Sequence, residues 1–164
     1  MPLTDLVTPE NVPLPPAPAA VYRAYRVLPE YLDIVWPKAE PLLERALSTE
    51  RGRYTTRDIY AWVRTNEQQL WLVARGREII AAGLMRCSIH PTGKHSAVWH
   101  LLGALPGARV WEWIGALFEA AMAEARARGS NEMLIVGRRG WLRWASKYGF
   151  RREATVLVRE EAEQ

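Results

Sequence analysis

Ala97-Val98-Trp99-His100-Leu101-Leu102, then Gly103-Ala104-Leu105-Pro106-Gly107-Ala108-Arg109, then a long stretch from Val110 to Arg128 decide how this chain is read. The first run is rich in strand formers. Gly and Pro in the second allow a tight bend with backbone amides turned outward. In the third, Trp111, Ile114, Phe118, Ala121, Met122 and Ala125 recur at helical spacing, and Gly129 stops the pattern. The first amides of such a helix have no partner within it, and its positive dipole end faces the bend. A strand, a glycine bend and a helix N-terminus form an anion site, most often for phosphate or pyrophosphate. The spacing predicts a central strand over residues 97–104, the longest helix over 110–128, and a nucleotide-containing ligand between them.

The flanking sequence fits one α/β domain. Residues 1–20 hold Pro9, Pro13, Pro15, Pro16 and Pro18 and read as an extended tail, leaving a domain over 21–160. Val21 to Val27 alternates as a first strand. Tyr31, Leu32, Val35 and Trp36 share a helix face, which Leu42, Leu43, Ala46 and Leu47 continue beyond Pro37 and Pro41. Those prolines predict a kink or a restart. Thr55 and Asp58 carry a capping box before Ile59, Tyr60, Trp62 and Val63. Leu70–Ala74 and Glu78–His90 predict strands joined at Arg75-Gly76-Arg77, with a bulge at Gly83. Pro91-Thr92-Gly93 turns the chain into the central strand, so the three strands read as an antiparallel meander. Met133–Val136 is a buried strand, Trp141, Trp144, Ala145 and Tyr148 mark a short helix, and Thr155–Val158 is the last strand.

Composition excludes several classes. The 164 residues suit one core, and 49% apolar content is ordinary for a globular chain. No apolar run is long enough to span a bilayer, and the N-terminus lacks a secretory pattern. The single cysteine, Cys87, excludes an intramolecular disulfide and reads as a buried strand residue. His90, His95 and His100 lack zinc spacing, so no metal site is expected. A cytoplasmic protein is the expectation. The net charge is +4, carried almost wholly by arginine, with lysine only at 38, 94 and 147. That bias fits a phosphorylated ligand or the codon usage of a GC-rich genome. The charge is too scattered to argue nucleic-acid binding alone.

The segment from Val98 to Arg128, with Gly149-Phe150 later, resembles the GNAT-type N-acyltransferase superfamily. There a central strand, a pyrophosphate loop and the next helix bind acetyl-coenzyme A, and a later helix ends in a Gly-Phe pair. The Gly137-Arg138-x-Gly140-Trp141 turn and Gln69-Leu70-Trp71-Leu72 look most like the small GNAT-like proteins of bacteriophages and prophages. The resemblance implies a single α/β (α+β) GNAT-like domain with a mixed, mostly antiparallel twisted sheet flanked by helices. It implies acetyl-CoA as cofactor, the backbone of Leu102, Gly103 and Ala104 along the pantetheine arm, and Gly107, Ala108, Arg109, Val110 and Trp111 around the pyrophosphate. Two departures stand out. The loop pattern keeps only Gly103 and Gly107, with Pro106 between them. The position of the family's general-acid tyrosine, four residues before Gly149, holds Ala145.

Acyl transfer to an amine requires loss of the amine's proton, polarisation of the thioester and stabilisation of the leaving thiolate. His100, which titrates near neutrality and sits on the central strand, is a candidate base. Glu112 is a second candidate, although near a helix N-terminus it also compensates the dipole. Tyr148 is a general acid displaced from the family position, or a packing residue. Arg138, Arg139, Arg143, Lys147, Arg151 and Arg152 form a late basic cluster for adenosine phosphate, a nucleic-acid backbone, or solvent. The acceptor would be an amine of a small molecule, a protein or a modified DNA base. The alternatives are a non-catalytic GNAT-fold binding protein or a virion-associated one, and a nucleic-acid module. A homodimer or a virion partner is compatible with each.

Overall fold

The computed structural model describes residues 21–50 and 52–160, so the proline-rich stretch read as a tail lies outside the described residues. The elements run β1 (Tyr22–Val27), a 3-10 turn (Pro29–Tyr31), α1 (Leu32–Leu47), α2 (Thr56–Arg64), β2 (Gln69–Arg75), β3 (Glu78–Ile89), β4 (His95–Ala104), α3 (Val110–Ala127), β5 (Glu132–Ile135), α4 (Gly140–Ala145) and a second 3-10 turn (Ser146–Tyr148). The five strands form one sheet in chain order. β1 to β4 make an antiparallel meander, and β5 runs parallel to β4. That parallel pair requires a crossover, which α3 supplies. The fold is the mixed, mostly antiparallel sheet with flanking helices that the sequence predicts, and the central strand and longest helix lie where expected.

Both faces of the sheet are covered, which is why β2 reads as a continuous apolar run. Trp71, Val73, Met85, Ala97 and Trp99 pack against Trp113, Ile114, Leu117, Phe118 and Ala121 of α3. Leu70, Leu72, Leu84 and Leu101 pack against Leu32, Leu42 and Leu43 of α1 and Ile59 and Val63 of α2. The capping box at α2 is formed: the Thr55 hydroxyl accepts from the Asp58 amide, and Asp58 accepts from the Thr55 amide.

Four local expectations need correction. α1 does not restart at its prolines but runs unbroken through Pro37 and Pro41. Both are exposed, so the carbonyls they leave unbonded, those of Asp33 and Pro37, can be solvated instead. Pairing is regular through Gly83; the irregularities fall on either side of it. One sits at Ile80, skipped opposite β2, and the other at His100, skipped opposite β3. Cys87 is exposed rather than buried, because β3 outruns the helices that cover its middle. Thr155–Val158 forms no strand: residues 151–160 carry no regular structure and are exposed throughout.

Candidate active site

The extra residue at His100 sets up the site. Ala97 and Trp99 face α3, yet Leu101 faces α1 and Leu102 is back on the α3 side. A bulge shifts the pleat in this way and bends the strand that carries it. β5 stays paired with β4 only from Ser96 to Trp99. The last bond runs from the Val136 amide to the Trp99 carbonyl at 2.8 Å. β4 continues to Ala104 with β3 as its sole partner. β4 therefore runs on past the end of β5, and the wedge between it and the chain leaving β5 is a pocket. Its walls are Trp99 to Leu102, Ile135 to Arg138, Phe118, Trp141, Ala46 at the end of α1, and Thr49 and Glu50 just beyond it.

Beside the wedge lies the start of α3. The Ala108 amide closes a turn onto Leu105 at 3.1 Å, with Gly107 at φ +80°. Gly107 has open space around it, so the backbone conformation is what requires glycine there. Arg109 is the extended N-cap residue and its side chain caps nothing. Among the first amides of α3, that of Glu112 bonds to the Arg109 carbonyl at 3.0 Å, which leaves those of Val110 and Trp111 without a partner among the described residues. Val110, Arg138, Gly140, Trp141 and Trp144 line a second hollow there. Arg138 and Trp141 border both hollows. Trp111 stacks on Trp144 with ring centroids 5.3 Å apart, and Arg109, Arg143 and Lys147 flank the stack as cations over the rings. Trp99, a wall of the wedge, has a buried indole N–H without an acceptor among the described residues. These features, free amides, an open glycine turn and an orphaned donor, fit a diphosphate-bearing thioester cofactor.

The predicted residues divide. Leu102 lines the wedge, and Gly107 to Trp111 form the turn and helix start. Gly103 has a packing role besides the one expected: a Cβ there would run into the Leu42 carbonyl oxygen and stand 2.8 Å from its carbon, so its bareness admits α1. Ala104 pairs with Ala81 and packs on the α3 side.

His100 lines the wedge and its Nε2 hydrogen-bonds the Gln68 side-chain oxygen. Burial, and then the charge of Arg86, push its pKa down to about 4. It is neutral at physiological pH, so it does not draw in an ammonium as a carboxylate does. Glu112 accepts from the Tyr22 hydroxyl at 2.8 Å and pairs with Arg109 at 3.7 Å. It borders neither hollow and ties α3 to β1. Tyr148 packs over Gly115 and Phe118 of α3 and also borders neither hollow. Ala145 is buried.

Sequence reasoning missed Glu50 and Tyr54. Glu50 is a wall of the wedge. Burial first, then the charge of nearby Glu50, pushes Tyr54 up to about 12. The Tyr54 ring meets His100 edge-on at 6.4 Å. No spacing rule links residues 50, 54, 68 and 100; only the packing of α1 and α2 over β4 gathers them.

No protein-family model matches the sequence, and no curated protein matches it. Solved structures do resemble it. An aminoglycoside acetyltransferase from an uncultured soil metagenomic sample, in complex with sisomicin, superposes with TM-score 0.68 at 11% identity, covering 87% of this chain and 97% of that one. A predicted acetyltransferase with acetyl-CoA from Clostridium acetobutylicum gives 0.63 at 16%, covering 85% and 96%. A ribosomal-protein-alanine N-acetyltransferase from Brucella melitensis biovar Abortus gives 0.63 at 10%, covering 86% and 100%. At such identities the likeness speaks to architecture: the chain has the GNAT-type acetyltransferase fold.

Proposed function

We propose that the chain is an acyl-CoA-dependent N-acyltransferase. The observation that carries this reading is the wedge where β4 outruns β5, next to the unpaired Val110 and Trp111 amides at the start of α3. Acetyl-CoA, when bound, would supply an acetyl thioester. The amides of the α3 first turn and the Arg109 guanidinium would hold its diphosphate. The wedge would take the pantetheine arm, with the Trp99 indole N–H as a donor within it.

Glu50 is the base in this reading, in place of His100 and Glu112. Its carboxylate lines the wedge, attracts an ammonium and accepts its proton as the amine is drawn in. Tyr54 lies beside Glu50. Neutral His100, held by Gln68, shapes the wall without competing for the cation. Much of the rate then comes from holding two reactants together. The acceptor class is an amine of a small molecule, a protein or a modified base; the likeness to an aminoglycoside acetyltransferase favours the first. A bacteriophage affinity and a virion association rest on Gln69–Leu72 and Gly137–Trp141 alone.

One observation favours a second reading, a non-catalytic binding protein of the same fold. With Ala145 buried and Tyr148 turned onto α3, the wedge has no tyrosine beside the leaving thiolate. Release of free CoA thiol, followed with a thiol reagent across a panel of amines, separates the two. Amine-dependent release that Glu50→Gln slows by about a hundredfold supports the enzyme. Binding of acetyl-CoA without release for any amine supports the second reading.

A further inference from the structure

Two tryptophans at the start of α3 and in α4 form a platform on the surface. Trp111 is 52% exposed, and its ring stacks on half-buried Trp144. Arg109 stands over Trp111 at 6.0 Å, and Arg143 and Lys147 stand over Trp144 at 5.3 and 5.4 Å. Glu112, beside Trp111, is already engaged by the Tyr22 hydroxyl and by Arg109. The platform therefore offers two aromatic rings and a positive rim. An exposed aromatic patch rimmed by polar groups marks a binding surface.

The same contacts bring an occupant to it. Tyr22 opens β1, and its hydroxyl bonds to Glu112, the residue after Trp111. The chain ahead of Tyr22 thus enters the fold beside the platform. Residues 1–20, which lie outside the described residues, hold Pro9, Pro13, Pro15, Pro16 and Pro18. They also hold Asp5 and Glu10, and no lysine or arginine. Pro18 stands four residues before Tyr22, an extended reach of roughly 13 Å. As a polyproline helix, the run from Pro13 to Pro18 would span a further ~16 Å.

We propose that residues 9–18 dock on the Trp111–Trp144 stack of their own chain as a polyproline segment. Proline rings pack on aromatic faces, and the preformed helix loses little entropy on docking. The charges follow the same order. Along the contacts from Tyr22 through Glu112 and Trp111 to Trp144, the cations Arg143 and Lys147 come last. Counting back from Tyr22, the acids Glu10 and Asp5 come after the proline run. Such complementarity fixes the register of a contact. Trp144 also lines the hollow at the start of α3, so the docked segment lies at its rim. The docking does not rest on the acyltransferase reading.

The indole N–H signals in a proton–nitrogen spectrum of the full chain test it, with Trp111 and Trp144 assigned through Trp111→Phe and Trp144→Phe. Pro15→Gly, Pro16→Gly and Pro18→Gly together remove the preformed helix and should shift both signals. Those of Trp36 and Trp62, packed on the other face of the sheet, should stay in place. Asp5→Lys with Glu10→Lys should shift the same two signals, and the wild-type positions should not change on dilution. If either variant leaves both signals at their wild-type positions, the proposal is overturned. It is also overturned if dilution moves the wild-type signals to the positions of the triple-glycine variant, which would put the segment on a second copy.

Discussion

The backbone carbonyl of Leu42 in α1 occupies the place where a side chain on Gly103 of β4 would begin. α1 can therefore lie directly on the strand that carries one wall of the wedge, and its end delivers Thr49 and Glu50 to the pocket rim. Gly103→Ala should force α1 away. We expect a loss of about 1–3 kcal/mol, the usual cost of overpacking a core, read as a lower chemical-denaturation midpoint. An unchanged midpoint would mean that the two elements are not in this contact.

His100 predicts a pH dependence. Its pKa in the folded chain is about 4, against 6.5 for a free histidine. The unfolded chain thus binds the extra proton first as pH falls. The stability from neutral His100 is complete above pH 6.5 and is lost progressively between 6.5 and 4, by about 3 kcal/mol in all. Asp33, Asp58 and Glu132, whose pKa values their hydrogen bonds lower, add their own losses below the ordinary carboxylate range. The interval from about pH 6.5 to 5 therefore isolates His100. Urea midpoints of wild type should fall across it, whereas those of His100→Gln should stay flat. Parallel slopes would contradict the burial of a neutral imidazole.

The base assignment separates two residues that both line the wedge. Glu50→Gln should lower kcat/KM by about a hundredfold at neutral pH, and Tyr54→Phe by less, because the carboxylate keeps its charge. His100→Gln should stay within a few-fold of wild type, since the amide can bond to Gln68 as the imidazole does. If His100→Gln were the crippled variant and Glu50→Gln active, the base would be His100 after all.

Most of the architecture was legible in the sequence because it rests on local periodicity. β4, the Gly107 turn and α3 each announce themselves in a few adjacent residues, and so does the capping box at Thr55. What was not legible depends on distant contacts. The role of Gly103 is set by Leu42, sixty-one positions away in sequence. The bulge at His100 depends on pairing register, which side-chain type does not specify. Thr155–Val158 has strand composition, but composition supplies no partner. Glu112 and Tyr148 have suitable chemistry near the right loop, yet helix geometry turns one toward Tyr22 and the other onto Phe118. Glu50 was invisible because neither Thr49 nor Arg51 forms a motif with it.

The central claim is that the unpaired start of α3 and the Gly107 turn hold the diphosphate of acetyl-CoA. Calorimetric titration of acetyl-CoA into wild type and Gly107→Asp tests it most directly. The turn has open space, so aspartate meets no neighbour there, although its positive φ costs about 1–2 kcal/mol. We predict saturable binding to wild type and none to a folded Gly107→Asp, whose carboxylate would repel the diphosphate. Absence of heat from wild type at millimolar ligand would contradict the claim, as would equal binding by Gly107→Asp.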